Sequence, residues 1–383
     1  KRLVLILPLI ILAACAESPA QEQSAMLSAT QSPRVSREVT PTATLVAEPE
    51  KRSQVAAATA PTRVPAPSPS PSPSPSPTPT PPYPVSLPAM IADATIDGDD
   101  LVLEQVLARN AAYTRYRISY FANGYSLSGI MNIPTGEGPF PLLILNHGYI
   151  DPAVYTNGRG LKREQDYFAR QGFAVIHPDY RNHAFSDTDP HATTNFRLGY
   201  TKDVIGAVRA AQKSDLPELQ SVAAERVGML GHSMGGGITQ NILVVQPQLV
   251  DAAVLYAPVS SSAVENLNEY FLQRSSRSER VQRIYEAHGS PQEAPQFWQE
   301  ISPQNYFDRI EAPVQIHIGT NDDSTLPQWS YDIEGRLRQA GKSVELHVYE
   351  GEKHEFIPQW NSFMERSAGF FREHLEVAPA AAE

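Results

Sequence analysis

Short apolar runs alternate with longer amphipathic stretches along the chain from residue 141 onward. Apolar runs of this length are typical of buried strands, and stretches with helical spacing are typical of helices that cover them. Strands are predicted at residues 142–145, 173–177, 227–230, 252–256, 314–318 and 344–349, and helices at 161–171, 200–213, 234–245, 326–340 and up to about 375. This alternation predicts an α/β fold with a mostly parallel central sheet flanked by helices on both faces.

Two regions do not follow this alternation of strands and helices. Before it, strand-like runs at residues 101–107, 116–121 and 127–133 include the dipeptide Asn123-Gly124, which favours a two-residue hairpin turn. They predict antiparallel strands at one edge of the sheet. Within it, residues 259–308 are charged and helical in pattern, which indicates a small helical cap insertion. We therefore predict one domain over residues 89–376, followed by a short disordered tail at 377–383.

The first residues have the pattern of an export signal. Lys1 and Arg2 precede an apolar run at residues 3–14, and Cys15 follows. The run is too short to span a bilayer, which needs about 20 apolar residues. Leu-Ala-Ala-Cys at 12–15 resembles the lipobox of bacterial lipoproteins, in which the cysteine is lipidated and becomes the mature N-terminus. Residues 1–15 are therefore predicted to be a lipoprotein signal peptide with lipidation at Cys15; an ordinary signal peptide that contains a cysteine is the alternative.

Residues 16–88 are predicted to be a disordered linker. They are rich in Pro, Ser and Thr, and they include an alternating Ser-Pro segment. Such a composition buries too little apolar surface to fold, and alternating proline favours extended polyproline II. The linker would serve as a stalk that lifts the domain from the membrane, or as an inert tether.

Charge and cysteine content narrow the possible partners. The formal net charge is −11, and no basic run occurs beyond the first two residues, so no nucleic-acid partner is expected. An acidic surface gains nothing from anionic lipids, so membrane attachment is expected only through the lipid anchor, which implies an extracytoplasmic location. The chain has one cysteine, so no internal disulfide is expected.

The segment with the strongest chemical signature is Gly-His-Ser-Met-Gly at residues 231–235, between a predicted strand and a predicted helix. This G-x-S-x-G pattern places a serine on a sharp turn that presents its hydroxyl at the edge of the sheet. The sequence therefore predicts that Ser233 is the nucleophile of a serine hydrolase.

A serine nucleophile needs a general base and a carboxylate that orients the base. In the fold that carries this elbow, they follow in the order Ser, acid, His. Asp322 and Asp323 come directly after the strand at 314–318, and His354 follows the strand at 344–349. Spacing from Gly319 favours Asp322 as the acid, with Asp323 capping the next helix; Asp323 as the acid is the alternative. His354 is the predicted base, although a plain surface histidine remains possible.

Two backbone amides are expected to form the oxyanion hole. The Met234 N–H follows the nucleophile directly, and the Tyr149 N–H lies in Asn-His-Gly-Tyr at residues 146–149, after an early strand. The alternative for this second segment is a strand-end turn with no catalytic contact.

Two further clusters allow more than one interpretation. A group of histidines and acids could suggest a metal, but their spacing matches no compact zinc pattern, so no metal and no cofactor are expected; the group comprises His177, Asp179, His183, Asp187, Asp189 and His191. Aromatic residues of the predicted cap could line an acyl pocket or form the cap's own core, and both interpretations stay open; they are Tyr270, Phe271, Phe297, Trp298 and Tyr306.

Residues from about 115 to 376 resemble the catalytic domain of the prolyl oligopeptidase (S9) family, and also dienelactone hydrolases and bacterial esterases with the α/β-hydrolase fold. The matching segments are Asn-His-Gly at 146–148, Phe-Ala-Val-Ile-His-Pro-Asp-Tyr-Arg at 173–181, Gly-His-Ser-Met-Gly-Gly at 231–236, Ser-Pro-Gln-Asn at 302–305, the run at 312–322 and Gly-Glu-Lys-His-Glu-Phe at 351–356. The resemblance implies a serine hydrolase that cleaves an ester or a peptide bond through an acyl-enzyme, with Ser233, Asp322 and His354 as its triad.

Two departures from the family pattern bear on the substrate. Relatives have Arg-Gly-x-Gly-x-Ser where this chain has Arg-Asn-His-Ala-Phe-Ser at 181–186, and residues 16–100 cannot encode the β-propeller of the oligopeptidases. A small-molecule ester or a short peptide is therefore the expected substrate. A carboxylesterase without peptidase activity and a non-catalytic surface binding protein are the alternatives.

Overall fold

The computed structural model describes residues 81–273 and 278–376. The predicted signal peptide, Cys15, the linker up to residue 80 and the tail at 377–383 lie outside these residues. In the described part of the chain, nine strands form one sheet. They are β1 (Gly98–Arg109), β2 (Tyr113–Ala122), β3 (Tyr125–Pro134), β4 (Phe140–Asn146), β5 (Ala174–Pro178), β6 (Val222–His232), β7 (Ala252–Tyr256), β8 (Val314–Gly319) and β9 (Val344–Tyr349).

The strand order is β1-β2-β3-β5-β4-β6-β7-β8-β9. The first three strands and the β3–β5 pair are antiparallel, and all later pairs are parallel. The predicted α/β-hydrolase architecture is confirmed. Because β4, β6, β7, β8 and β9 are parallel, their carboxyl ends meet at one edge, where a site can be assembled from several loops.

The predicted hairpin joins β2 to β3. Ala122 pairs with Tyr125, and Asn123 and Gly124 occupy the turn with φ of 52° and 88°. Positive φ at both central positions gives a turn whose twist matches that of the strands, and Asn-Gly adopts it at little cost. The Asn-Gly signal is therefore confirmed.

Helices cover both faces of the sheet. They are α1 (Leu87–Ala92), α2 (Lys162–Arg170), α3 (Gly199–Lys213), α4 (Met234–Val245), α5 (Ala263–Leu267), α6 (Ser278–His288), α7 (Pro295–Glu300), α8 (Pro327–Gln339) and α9 (Trp360–His374). Strand β4 shows the two layers: Leu142 and Ile144 belong to the core under α3, α4 and α8, whereas Leu143 and Leu145 belong to the core under α2 and α9. Each of these four side chains is fully buried, and burying one contributes roughly 1.5–3 kcal/mol.

The segment between β7 and β8 is helical, as predicted for the cap at residues 259–308. It contains α5, a π-helical turn at Asn268–Leu272, α6, α7 and a 3₁₀ segment at Pro303–Arg309. Its core side chains Phe297 and Trp298 are almost fully buried and join the core above α4. The cap is therefore packed onto the carboxyl edge of the sheet.

The domain begins earlier than the predicted boundary at residue 88. Leu87 is fully buried, Ser86 caps α1 by accepting a hydrogen bond from the Ala89 N–H, and the Tyr83 N–H donates to Glu300 at 2.8 Å. The sequence did not indicate this earlier start, because residues 81–88 contain four prolines and resemble the linker in composition. None of the helices in the described ranges combines the length and apolar character that crossing a bilayer requires.

Candidate active site

Ser233 occupies a sharp turn between β6 and α4. Its φ of 57° and ψ of −120° are unusual for a residue with a side chain, and backbone in such regions costs about 1–3 kcal/mol. The turn is held by the Ser233 N–H, which donates to the Tyr256 carbonyl at 3.0 Å, and by the Gly236 N–H, which donates to the Ser233 carbonyl at 2.9 Å. The strained turn presents the serine side chain at the carboxyl edge of the sheet.

The glycines on either side of the serine have no room for a side chain. A Cβ at Gly235 would lie 2.0 Å from the Asn146 carbonyl oxygen, and one at Gly231 would lie 2.3 Å from the Gly235 carbonyl oxygen. A Cβ at Gly148 would lie 3.1 Å from the Ser233 Cβ. The G-x-S-x-G pattern therefore reflects close backbone packing, and the segment at 146–149 lies directly against Ser233.

His354 lies in the loop between β9 and α9, next to Asp322 in the loop after β8. His354 Nδ1 donates to Asp322 Oδ2 at 2.8 Å. The carboxylate is fully buried, and the imidazole is 16% exposed. Because Nδ1 carries the proton in this contact, Nε2 is left as the basic nitrogen.

The Asp322 carboxylate is held from several directions. Its Oδ1 accepts hydrogen bonds from the N–H groups of Ser324 and Thr325 at 2.8 and 2.9 Å, and its Oδ2 also accepts from the Thr325 hydroxyl at 2.8 Å. Burial alone would raise the pKa of Asp322, but the His354 contact and the two amides outweigh it and hold the pKa below its ordinary value. The group is therefore an oriented carboxylate at neutral pH.

Asp323 does not share this environment. It is exposed, and its Oδ1 accepts from the Ser324 hydroxyl at 3.4 Å. The geometry thus separates the two acids in favour of Asp322. The prediction that Asp323 caps the next helix is wrong, because α8 begins at Pro327 and its N-cap position is Leu326, three residues further on.

Tyr149 and Met234 both line the cavity that contains Ser233. Within the described part of the chain, neither backbone N–H donates a hydrogen bond. Both amides are therefore available to a bound group. The Tyr149 ring is 47% exposed and lies under the guanidinium of Arg197, whose Cζ is 4.8 Å from the ring centroid.

His147 supports the loop that carries Tyr149. It is fully buried and stacks on Tyr180 at 4.3 Å, and its Nδ1 lies 2.7 Å from the Gly148 carbonyl oxygen. Burial lowers the pKa of His147 to about 3, so the ring is neutral at physiological pH. The histidine of the Asn-His-Gly segment therefore has a positioning contact and does not act as an acid or a base.

A cavity of about 360 Å³ opens between the sheet edge and the cap. Ser233 and His354 lie on one wall, and cap residues including Tyr270, Phe271 and Ile301 lie on another. Both interpretations of the cap aromatics hold. Tyr270 and Phe271 line the cavity, and all five aromatics belong to the core or pack against it: Tyr270, Phe271, Phe297, Trp298 and Tyr306.

The acids at residues 177–191 have structural contacts. Asp179 accepts hydrogen bonds from Ser128, Tyr155, Asn157 and the Gly158 N–H, as expected for a residue that fixes a loop. Among residues 81–273 and 278–376, no group of three or more His, Cys, Asp or Glu side chains is arranged to hold a metal ion.

The cavity residues that the sequence did not predict include two arginines. Arg197 precedes α3, and Arg280 lies in α6 of the cap. No motif marks either residue, and 82 other positions lie between them, so only the folded chain brings both to the cavity. Arg197 has a left-handed backbone conformation, which no pattern in the sequence indicates.

Comparison with known sequences gives one family match and several relatives. A sequence profile of the prolyl oligopeptidase family matches residues 159–378, more than half of the chain. The "Uncharacterized peptidase YtmA" of Bacillus subtilis is 26% identical over 247 residues, which cover 64% of this chain and 88% of that protein. The region that matches the family profile, residues 159–378, contains Ser233, Asp322 and His354.

Solved structures share the fold. A putative dipeptidyl aminopeptidase IV from Bacteroides ovatus matches with a TM-score of 0.55 and 19% identity over 69% of this chain, but only 36% of its own length. Acetyl xylan esterase 1 from Thermoanaerobacterium matches with a TM-score of 0.54 and 18% identity over 77% of this chain and 95% of its own. Peptidases and esterases thus both carry this architecture.

Proposed function

This chain belongs to the prolyl oligopeptidase family, and from that membership we propose that it is a serine hydrolase that cleaves small esters or short peptides through an acyl-enzyme on Ser233. One arrangement carries the proposal. Ser233 and His354 line the same cavity, and His354 donates its Nδ1 proton to the buried Asp322 at 2.8 Å. This is the nucleophile, base and orienting acid of a serine hydrolase in the required order.

In the first half of the reaction, Ser233 Oγ attacks the carbonyl carbon of the bound substrate. His354 Nε2 accepts the hydroxyl proton, and Asp322 stabilises the imidazolium that forms. When the tetrahedral intermediate collapses, the bond to the leaving group breaks and His354 returns the proton to the departing alcohol or amine. The product of this half is an ester between Ser233 and the acyl group.

In the second half, water takes the place of the leaving group. His354 accepts a proton from the water as its oxygen attacks the acyl carbon, and the proton then passes to Ser233 Oγ as the ester breaks. In both halves, negative charge develops on the carbonyl oxygen. The N–H groups of Met234 and Tyr149 are proposed as its donors, because both lie at the cavity and donate no hydrogen bond within residues 81–273 and 278–376.

The size of the cavity supports a small substrate. At about 360 Å³ it is near the lower end of ordinary ligand pockets, which hold roughly 300–1,000 Å³. A short acyl group or one or two amino-acid residues fill such a volume. The leaving group is an amine in a peptide and an alcohol in an ester, and the assay below distinguishes the two.

The test is hydrolysis by the purified full chain with Ser233→Ala as control. We would measure a short-chain 4-nitrophenyl ester series beside aminoacyl and prolyl 4-nitroanilides, and label the folded protein with a fluorophosphonate probe. Ser233-dependent turnover of anilides identifies a peptidase, and turnover of esters alone identifies a carboxylesterase. Folded protein that neither labels nor hydrolyses any substrate contradicts the proposal and favours the non-catalytic binding protein.

For the location, we propose an extracytoplasmic lipoprotein anchored through Cys15. The proposal is supported by the basic residues, apolar run and lipobox-like segment at residues 1–15. A lipid-modified cysteine carries more than one acyl chain, and two chains are enough for stable anchoring. Fatty-acid labelling of the full chain in a bacterial host should be lost in Cys15→Ser; labelling that persists in this variant refutes the anchor.

A further inference from the structure

Among residues 81–273 and 278–376, those that line the catalytic cavity include two arginines and no acid. Arg197 and Arg280 line it together with Ser233 and His354. This is opposite in sign to the molecule as a whole, whose formal net charge is −11. A cationic cavity in an acidic protein concentrates anionic molecules where the chemistry takes place.

Neither guanidinium is paired with a carboxylate of the described residues. In the described ranges, Arg197 and Arg280 make no ion pair within 4.0 Å, whereas the nearby Arg181 is paired with Asp189 and Asp203. The cap residues 274–277, which lie outside the described part, have the sequence Arg-Ser-Ser-Arg and contain no acid. A partly buried guanidinium without a carboxylate is costly unless a ligand supplies one.

The position of Arg197 is held by unusual backbone and by aromatic rings. Phe196 and Arg197 have φ of 51° and 55°, two consecutive non-glycine residues in the left-handed region. The Arg197 guanidinium lies over the Tyr149 ring at 4.8 Å and is 6.0 Å from the centroid of Phe271. Strain of this kind persists only where surrounding structure enforces it, and it is concentrated at ligand-binding positions.

The two arginines line the same cavity. Burial lowers the pKa of Arg197, and the charge of Arg280 lowers it further, against the opposite effect of nearby tyrosines. Two like charges that face one cavity repel each other until an anion lies between them. A carboxylate does this well, because its two oxygens match the paired N–H groups of a guanidinium.

We infer that the substrate carries a carboxylate, which Arg280 and Arg197 bind inside the cavity while its ester or amide group is attacked by Ser233. The inference rests on the proposed function and specifies its substrate class. Arg197 is also placed to support Tyr149 through the ring contact, so Arg280 gives the cleaner test.

The test compares paired substrates that differ only in this charge. On the acyl side, mono-4-nitrophenyl adipate is compared with methyl 4-nitrophenyl adipate, and nitrophenolate release reports both. On the leaving-group side, trialanine is compared with trialanine amide. The readout is the ratio of kcat/KM for the acid over its neutral partner, because this ratio cancels any general loss of activity.

We expect a preference for the acid in at least one pair. Since a hydrogen bond to a charged group is worth about tenfold to a hundredfold in affinity, Arg280→Gln should lower that ratio by about this factor. Arg280→Lys should retain part of the preference by keeping the charge. Arg336→Gln, at an exposed position of α8, should leave the ratio unchanged.

A binding measurement separates this inference from the proposed function. Calorimetry with Ser233→Ala and adipate reports the carboxylate site without catalysis, and adding Arg280→Gln should weaken binding about tenfold or more. If the neutral ester is hydrolysed in a Ser233-dependent way but neither the ratio nor adipate binding depends on Arg280, the carboxylate site is refuted and the hydrolase stands. If nothing is hydrolysed but adipate binds through Arg280, the hydrolase is refuted and the carboxylate site stands.

Discussion

Replacing Asp322 with asparagine changes one atom in the proposed triad. The Asp322 Oδ1 accepts hydrogen bonds from the N–H groups of Ser324 and Thr325, and an asparagine carbonyl oxygen can accept the same two bonds. The amide NH₂ would then stand where Oδ2 now accepts the His354 Nδ1 proton. Two donors cannot share that contact, so His354 must place its proton on Nε2 and present Nδ1 as an acceptor.

The wrong tautomer removes the base, because a protonated Nε2 cannot accept the hydroxyl proton of Ser233. In serine proteases the equivalent substitution lowers kcat about 10⁴-fold, which is about 5 kcal/mol in the activation free energy. We expect Asp322→Asn to lower kcat by about 10³ to 10⁴. The fold should survive. An asparagine can replace three of the four hydrogen bonds that the Asp322 carboxylate accepts, and the loss of one costs about 1–3 kcal/mol.

The matched control is the same substitution one residue further on. Asp323→Asn should change kcat by less than about twofold, since this exposed carboxylate has, among the described residues, one side-chain hydrogen bond, with Ser324 at 3.4 Å. Initial rates on a 4-nitrophenyl ester, corrected for folded protein by thermal unfolding, give both values. Equal losses in the two variants, or a larger loss in Asp323→Asn, would refute the tautomer argument and the assignment of Asp322.

Three further predictions concern packing and charge. Gly235→Ala should abolish fluorophosphonate labelling and destabilise the domain by about 3 kcal/mol in urea unfolding, since the new Cβ would lie 2.0 Å from the Asn146 carbonyl oxygen. Asp203→Asn should cost about 1–3 kcal/mol in the same assay, because Arg181 loses the buried carboxylate at 2.6 Å and keeps the one of Asp189 at 3.1 Å. Since His147 has a pKa of about 3 when folded against about 6.5 when unfolded, its contribution to stability is present above pH 6.5 and is lost as the pH falls. His147→Gln should therefore reduce the slope of unfolding free energy against pH between pH 6 and 4 by up to about 1.4 kcal/mol per pH unit.

The first two of these predictions have a control in the same chain. Gly369→Ala lies in α9 with nothing within 4 Å of the new Cβ, so it should not destabilise. Glu334→Gln removes the exposed ion pair with Arg338 and should cost less than about 1 kcal/mol. Costs equal to those of the buried substitutions would contradict the reasoning, as would an unchanged pH slope in the His147 variant.

The elements of the fold follow from sequence patterns that depend on neighbouring residues. Strands β7 and β9 and helix α4 have the predicted bounds. Turn-forming residues follow closely, with Pro258 after β7, Gly351 after β9 and Pro247 after α4. Strand β6 begins five residues earlier than predicted, since the apolar run marks only its most buried part and Glu225 is exposed. The G-x-S-x-G pattern could be recognised in the sequence because close contacts within a few residues require its glycines.

Other features depend on contacts between distant parts of the chain, and no local pattern records them. Adjacent acids such as Asp322 and Asp323 are equivalent in sequence, and only the inward turn of one carboxylate, held by two amides and a distant histidine, distinguishes them. Which of the cap aromatics also reach the cavity, Tyr270 and Phe271, depends on how the cap packs. Arg197, just before α3, and Arg280 of α6 both line the cavity, and only the folded chain brings them there. The sequence by itself determined the fold class and the proposed nucleophile, since those rest on local backbone geometry; the shape and charge of the cavity arise from long-range packing, and only the tertiary structure decided them.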